Sequence, residues 1–185
     1  MIRELLQDAE SRMRGAIASL ENDLAGYRTG RAAPQLVEKI KVEMYGVEMQ
    51  LNQMAVVSVP EPQQLAIRPY DIKSLSAIEK AILRSDLGIM PNNDGKIIRL
   101  NIPRLTEERR RDLKKLVGRR VEEGKVAVRN VRRDALNDMR ELKDEKIVSE
   151  DEFFGGQDDL DKLTKRYVDQ IDEIGQKKEA EIMEV

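Results

Sequence analysis

Between Arg109 and Arg133 the chain carries eleven lysine or arginine residues against three acids, Asp112, Glu122 and Glu123. Guanidinium groups at this density do one kind of chemistry well: they take phosphate oxygens in paired, charge-assisted hydrogen bonds. The local charge is +8 in a chain whose net charge is −2, so everything outside this stretch sums to −10. A field gathered in this way calls for an anionic partner.

Other chemistries find little here. The sequence has no cysteine and no histidine, which removes disulfides, thiol nucleophiles and the commonest acid–base group and metal ligand. No glycine-rich phosphate loop and no nucleophile elbow is present. Glu107, Glu108 and Asp112 are the carboxylates a hydrolase would have to use, but their place suits the start of a helix and salt bridges with its arginines. Asn92 and Asp94 lack the oxygen spacing and terminal glutamate of a calcium loop and read as turn chemistry. No enzyme, no metal and no cofactor is expected. The first residues include acids, and no apolar run is long enough for a signal or a membrane span, which points to a cytoplasmic protein.

The basic stretch must be mounted on something, and its apolar residues say what. Val117, Val121, Gly124, Val128, Val131, Ala135, Met139 and Leu142 recur in steps of three and four, the seam of a helix that packs along a partner. Thr106 is its expected N-cap, and the helix should run to about Lys146. At 100° per residue Arg111, Lys115, Lys125, Arg129, Arg132, Arg133 and Arg140 fall on the far side or flank. A helix near 60 Å long exceeds one compact globule and needs helical neighbours. Ile2, Leu6, Ala9, Met13, Ala16, Leu20, Leu24 and Tyr27 supply one stripe before it. Leu160, Leu163, Tyr167, Ile171, Ile174 and Ile182 supply another after Ser149, on a segment from Glu150 whose charge is −7. Together these predict an antiparallel three-helix bundle.

Residues 31–103 change period. Val42 and Met44 alternate, Tyr45-Gly46 turns, and Val47, Met49 and Leu51 alternate again, a hairpin pattern. Strands are expected over Met54 to Val59, closing at Pro60, over Leu65 to Arg68, and over Ile98 to Ile102. Asp71 can cap a helix whose buried face is Ile72 or Leu75, Ile78, Ile82 and Leu83. The fold class is therefore α+β: a long three-helix bundle from residues 1–30 and 104–185 with an inserted β/α/β domain over 31–103. A rod with a side domain is L-like in outline, and its two short connections contain Gly30, Pro34, Pro103 and Arg104 as candidate hinge positions.

The residues also resemble a known family. Tyr27-Arg28-Thr29-Gly30-Arg31-Ala32, Tyr45-Gly46, Pro60-Glu61, Ile78-Glu79-Lys80-Ala81-Ile82, Ser85-Asp86-Leu87-Gly88, Leu105-Thr106-Glu107-Glu108-Arg109-Arg110, the run Lys125 to Asp134 and Ser149-Glu150-Asp151 are similar to ribosome recycling factors over nearly the whole chain. The resemblance implies a tRNA-like outline and a non-enzymatic role at the end of protein synthesis. With elongation factor G and GTP, which the partner GTPase uses, such a factor splits the post-termination complex so that ribosomes leave messenger RNA. It implies docking on large-subunit ribosomal RNA through Arg110, Arg129, Arg132 and Arg133, with Arg28 and Arg31 near the interdomain corner, as a monomer with no membrane or DNA partner. Tyr70 and Phe153-Phe154-Gly155-Gly156 depart from the family pattern, the latter placed by the sequence in an interhelix loop. The competing reading from another class is a structural, homodimerising coiled coil, which would leave an apolar seam exposed.

Overall fold

A computed structural model describes residues 1–184. The chain begins with helix α1 (Ile2–Ala25) and passes through a 3₁₀ turn (Pro34–Leu36) into strands β1 (Lys41–Met44) and β2 (Val47–Gln50). One helical turn, α2 (Leu51–Met54), precedes β3 (Ala55–Glu61), β4 (Gln64–Pro69), helix α3 (Leu75–Arg84), β5 (Asn92–Asn93) and β6 (Ile98–Asn101). Two long helices close the chain, α4 (Glu107–Asp144) and α5 (Glu150–Met183). The residues form two compact units: Met1–Tyr27 with the chain from Glu107 onward, and Arg28–Thr106.

The larger unit is a bundle of α1, α4 and α5. Ion pairs between helices fix its directions. Arg12 meets Asp134 and Asp23 meets Arg120, so α1 rises as α4 falls; Lys125 meets Asp172 and Arg132 meets Asp161, so α4 and α5 are also antiparallel. Met13, Leu20, Val117, Val128, Met139, Leu160 and Ile171 are completely buried, the burial that holds helices which would be marginal alone. The seam on α4 holds from Val117 to Met139, starts one turn earlier, at Leu113, and leaves Leu142 half-buried.

Three glycines set how closely the helices approach. A Cβ on Gly175 would lie 2.5 Å from Val121 Cγ2, one on Gly156 2.6 Å from Ile2 Cγ2, and one on Gly124 3.5 Å from Ile171 Cδ1. Gly175 takes a buried place on α5, and its neighbour Ile174, expected in the seam, is half-buried. Helix α5 starts at a capping box: Ser149 accepts the Glu152 N–H and the Glu152 carboxylate accepts the Ser149 N–H. That early start corrects the expectation that Phe153 to Gly156 form a loop. They are helical, Phe153 packs inward beneath Lys143 and Phe154 stays exposed.

The smaller unit pairs β1 with β2 in a two-stranded sheet and orders four strands as β3-β4-β6-β5, all antiparallel. The hairpin turn uses Tyr45 and Gly46, both at positive φ (53° and 75°), the backbone that a two-residue turn between twisted strands requires. Alternation fails at Leu51, where the chain makes a helical turn to bury Leu51 and Met54. Strand β3 runs through Pro60 to Glu61 instead of stopping, because it is an edge strand whose open side needs no donor. Asp71 accepts the Lys73 N–H at 3.0 Å and so caps a 3₁₀ turn (Ile72–Ser74) that leads into α3, not α3 itself, whose N-cap is Ser74. Leu75, Ile78 and Ile82 then face a core with Val42, Leu65, Ile67, Ile98 and Leu100, while Ile72 and Leu83 are exposed.

Candidate nucleic-acid interface

Helix α4 turns one face to the bundle, so its cations divide by angle. Arg129 and Arg133, four residues apart, share the face opposite the buried seam, both exposed and without an ion pair among the described residues. Arg140 continues that stripe two turns on and reaches Asn137 Oδ1 at 3.5 Å. Toward the helix start Lys115 and Arg111 occupy the same phase, with Arg111 held by Glu107 at 2.7 Å.

The flanks behave differently, because acids of the neighbouring helices reach them. On the α1 side Arg120 is bonded by Asp23 and by Glu123 at 2.8 Å. On the α5 side Lys125 lies 2.5 Å from Asp172 and 3.2 Å from Glu122, and hydrogen bonding to Asp172 first of all holds its ammonium above the usual lysine pKa. Arg132, one third exposed, donates through Nε to Asp161 Oδ1 at 2.7 Å. The run of eleven cations is thus trimmed at both edges, and what is left open is a narrow stripe. Asp23, Asp161 and Asp172, the acids that reach across from the neighbouring helices, were not singled out from sequence; for the two on α5 the signal was the negative charge of that segment.

The expected site residues do not form one cluster. Arg129, Arg132 and Arg133 stand together on α4. Arg110 lies seven residues before Val117, hence roughly 20° from the seam phase, and it is partly buried with its Nε unpaired and out of solvent. Arg110 therefore sits on the packing side of α4, apart from the other three. Arg28 and Arg31 belong to the smaller unit, where Arg28 donates to the Asp86 carbonyl at 2.8 Å. Gly30, Pro34, Pro103 and Arg104 lie within that unit as well. Gly30 is buried at φ 77°, with its missing Cβ only 3.4 Å from Leu105, and Arg104 Nε approaches Gln63 Oε1 at 3.4 Å. Among the described residues no group of three or more acids could hold a metal ion, and no helix is long and apolar enough to cross a membrane.

A three-helix bundle with an inserted antiparallel-sheet unit, and a stripe of cations on its second long helix in place of a catalytic constellation, defines the class of a binding factor. The model of the ribosome recycling factor family matches residues 20–183. Ribosome-recycling factors of Roseiflexus castenholzii (strain DSM 13941 / HLO8) and Chloroflexus aurantiacus (strain ATCC 29364 / DSM 637 / Y-400-fl) are 55% and 51% identical over 185 residues, the full length of both chains in each pairing. A solution structure of the ribosome recycling factor, 43% identical, superposes with a TM-score of 0.81 over 100% of this chain and 98% of that one. A second solved structure describes the T. thermophilus ribosome recycling factor and the E. coli elongation factor G bound to the E. coli post-termination complex; its matching chain is 44% identical with a TM-score of 0.69 over the whole of both chains. The chain belongs to the ribosome recycling factor family. It functions in ribosome recycling as a non-enzymatic factor.

Proposed function

We propose that the protein, acting with elongation factor G, dissociates the post-termination ribosome complex after docking on large-subunit ribosomal RNA through the open face of α4. The carrying observation is the different fate of the cations on that helix. Acids of α1 and α5 neutralise its flanks, whereas Arg129 and Arg133 have no ion partner among the described residues. Positions left unneutralised beside so many available acids suit phosphate contact. Arg132 extends that face, Arg110 adds a cation near the start of α4 as the family resemblance implies, and Arg28 and Arg31 add cations from the smaller unit. Gly30, Pro34, Pro103 and Arg104 form the connection about which that unit turns when the GTPase acts on it. GTP is consumed by the partner, and this chain needs no cofactor of its own. It works in the cytoplasm as a monomer, a reading supported by seams that cover one another: Val117, Val128, Met139 and Ile171 have no exposed surface left for a second copy.

The test is a titration of large ribosomal subunits at several salt concentrations. Cations that displace condensed counterions lose their entropic advantage as salt rises, so affinity should fall steeply. Replacing both Arg129 and Arg133 by alanine should lower the slope of log K against log salt by about two units or less. A dissociation constant that stays flat with salt would overturn docking through this stripe.

A further inference from the structure

Arg120 and Arg132 occupy opposite flanks of α4, and each meets an aspartate from a neighbouring helix, but their guanidinium groups are used differently. Arg120 spends both outer nitrogens, Nη1 on Glu123 and Nη2 on Asp23. It is a strut between helices. Arg132 is held through its inner nitrogen alone, Nε to Asp161 Oδ1 at 2.7 Å. Its two Nη groups have no acceptor among the described residues, and neither is a buried atom lacking a partner, unlike Nε of Arg110 and Arg120. They therefore face solvent. A guanidinium gripped at Nε keeps its paired Nη edge, the fork that fits two phosphate oxygens, pointing outward.

We propose that Asp161 is a positioning residue for RNA docking: it accepts the Arg132 Nε–H and fixes the guanidinium so that its Nη edge is presented to a phosphate. The inference rests on the reading that the open side of α4 docks on ribosomal RNA. A long arginine that is free in solution must be ordered when it binds, and the aspartate meets that entropic cost in advance. Asp161 contributes nothing to the bundle core, since its carboxylate is about half exposed (48%), so an exposed pair of this kind adds little to stability. An acid beside a phosphate-binding arginine would otherwise be a nuisance, because its charge repels the ligand.

That conflict gives the test its sign. If Asp161 only repels, removing it must tighten binding to a polyanion; if it positions Arg132, removing it must weaken binding. Purified large ribosomal subunits are titrated with the full-length chain carrying Asp161→Ala, Asp161→Asn, Arg132→Ala, or both Arg132→Ala and Asp161→Ala. Asp161→Ala should weaken binding about three- to tenfold. Asp161→Asn keeps an oxygen acceptor for Nε–H while removing the charge, so it should bind within about twofold of the unaltered chain or more tightly. With Arg132 already replaced, the second substitution should no longer weaken binding, because nothing remains to be positioned. Tighter binding by Asp161→Ala, or an equal loss in the presence and absence of Arg132, would overturn the positioning role. If Arg132→Ala itself binds like the unaltered chain, it is the docking of Arg132 that fails, a result distinct from either.

Discussion

Gly175 and Gly118 both sit inside long helices, where glycine is about 1 kcal/mol worse than alanine, yet only one of them has a packing reason. The Cβ of an alanine at 175 would press against Val121 Cγ2 at 2.5 Å, while nothing lies within 4 Å of the same atom at 118. Gly118→Ala should therefore stabilise the bundle by about 0.5–1 kcal/mol. Gly175→Ala should destabilise it by about 1–3 kcal/mol, because Val121 is buried and has to shift. Urea unfolding followed by circular dichroism separates the two, and equal shifts of the same sign would refute the contact. These are the positions at which sequence patterning falls short. Gly124 was legible because it kept the period of its own helix, whereas Gly175 displaced Ile174 from an otherwise regular seam for the sake of a valine on another helix. Periodicity reports the face of one helix and carries no information on which facing side chain will come closest. The same blindness hid Asp161, Asp172 and Asp23, whose importance arises only from the arginine or lysine across the interface.

At the level of elements, the turn leading into β6 is held by a single carboxylate. Asp94 accepts backbone N–H groups from Ile97 at 2.8 Å and Lys96 at 2.9 Å, and its other oxygen meets Arg99 at 2.5 Å. Those bonds, Ile97 first, lower its pKa from 3.8 to about 2. A carboxylate whose folded pKa is depressed contributes stability above its unfolded pKa, and that contribution is lost as pH falls through the folded value. The turn should thus hold at pH 4 and loosen between 3.8 and about 2. A carbon-detected NMR titration of the Asp94 carboxyl should find its midpoint near 2, and a midpoint close to the ordinary aspartate value would show that the turn bonds do not persist in solution. The turn itself was plain from Pro91 to Gly95. Its two-residue strand β5 was not, because two asparagines carry no strand signature and pair only where β6 offers an edge. Likewise the helical turn at Leu51 overrode an alternating pattern, since Leu51 and Met54 reach the core together only when the chain coils.

For the molecule as a whole, the prediction concerns division of labour. Each unit has its own buried core, the cation stripe belongs to α4 alone, and the proposed GTPase action falls on the smaller unit. Because the chain has no cysteine, a pair of introduced cysteines, one in each unit, can lock the connection near Gly30 and Pro103 by oxidation. Large-subunit binding should survive the lock, while splitting driven by elongation factor G should be lost and should return on reduction. Normal splitting by the fully oxidised form would mean that the protein acts as a rigid wedge. The bundle, its seams and the insertion of a sheet domain were all readable from period and charge, since long helices repeat their signal many times over. The narrowness of the usable stripe was not, because it depends on which cations the neighbouring helices neutralise.

The unequal charge of the helices also matters before any contact forms. The stretch from Arg109 to Arg133 is strongly positive and the segment from Glu150 strongly negative, and their helices lie side by side in one bundle. Such a body feels a torque in the field of a polyanion, not merely a pull. With ribosomal RNA as the proposed partner, it would roll its arginines forward while still about a Debye length away, roughly 8–10 Å at ordinary salt. Collisions that begin the wrong way round are then turned instead of wasted, and capture becomes faster without any change in the final grip.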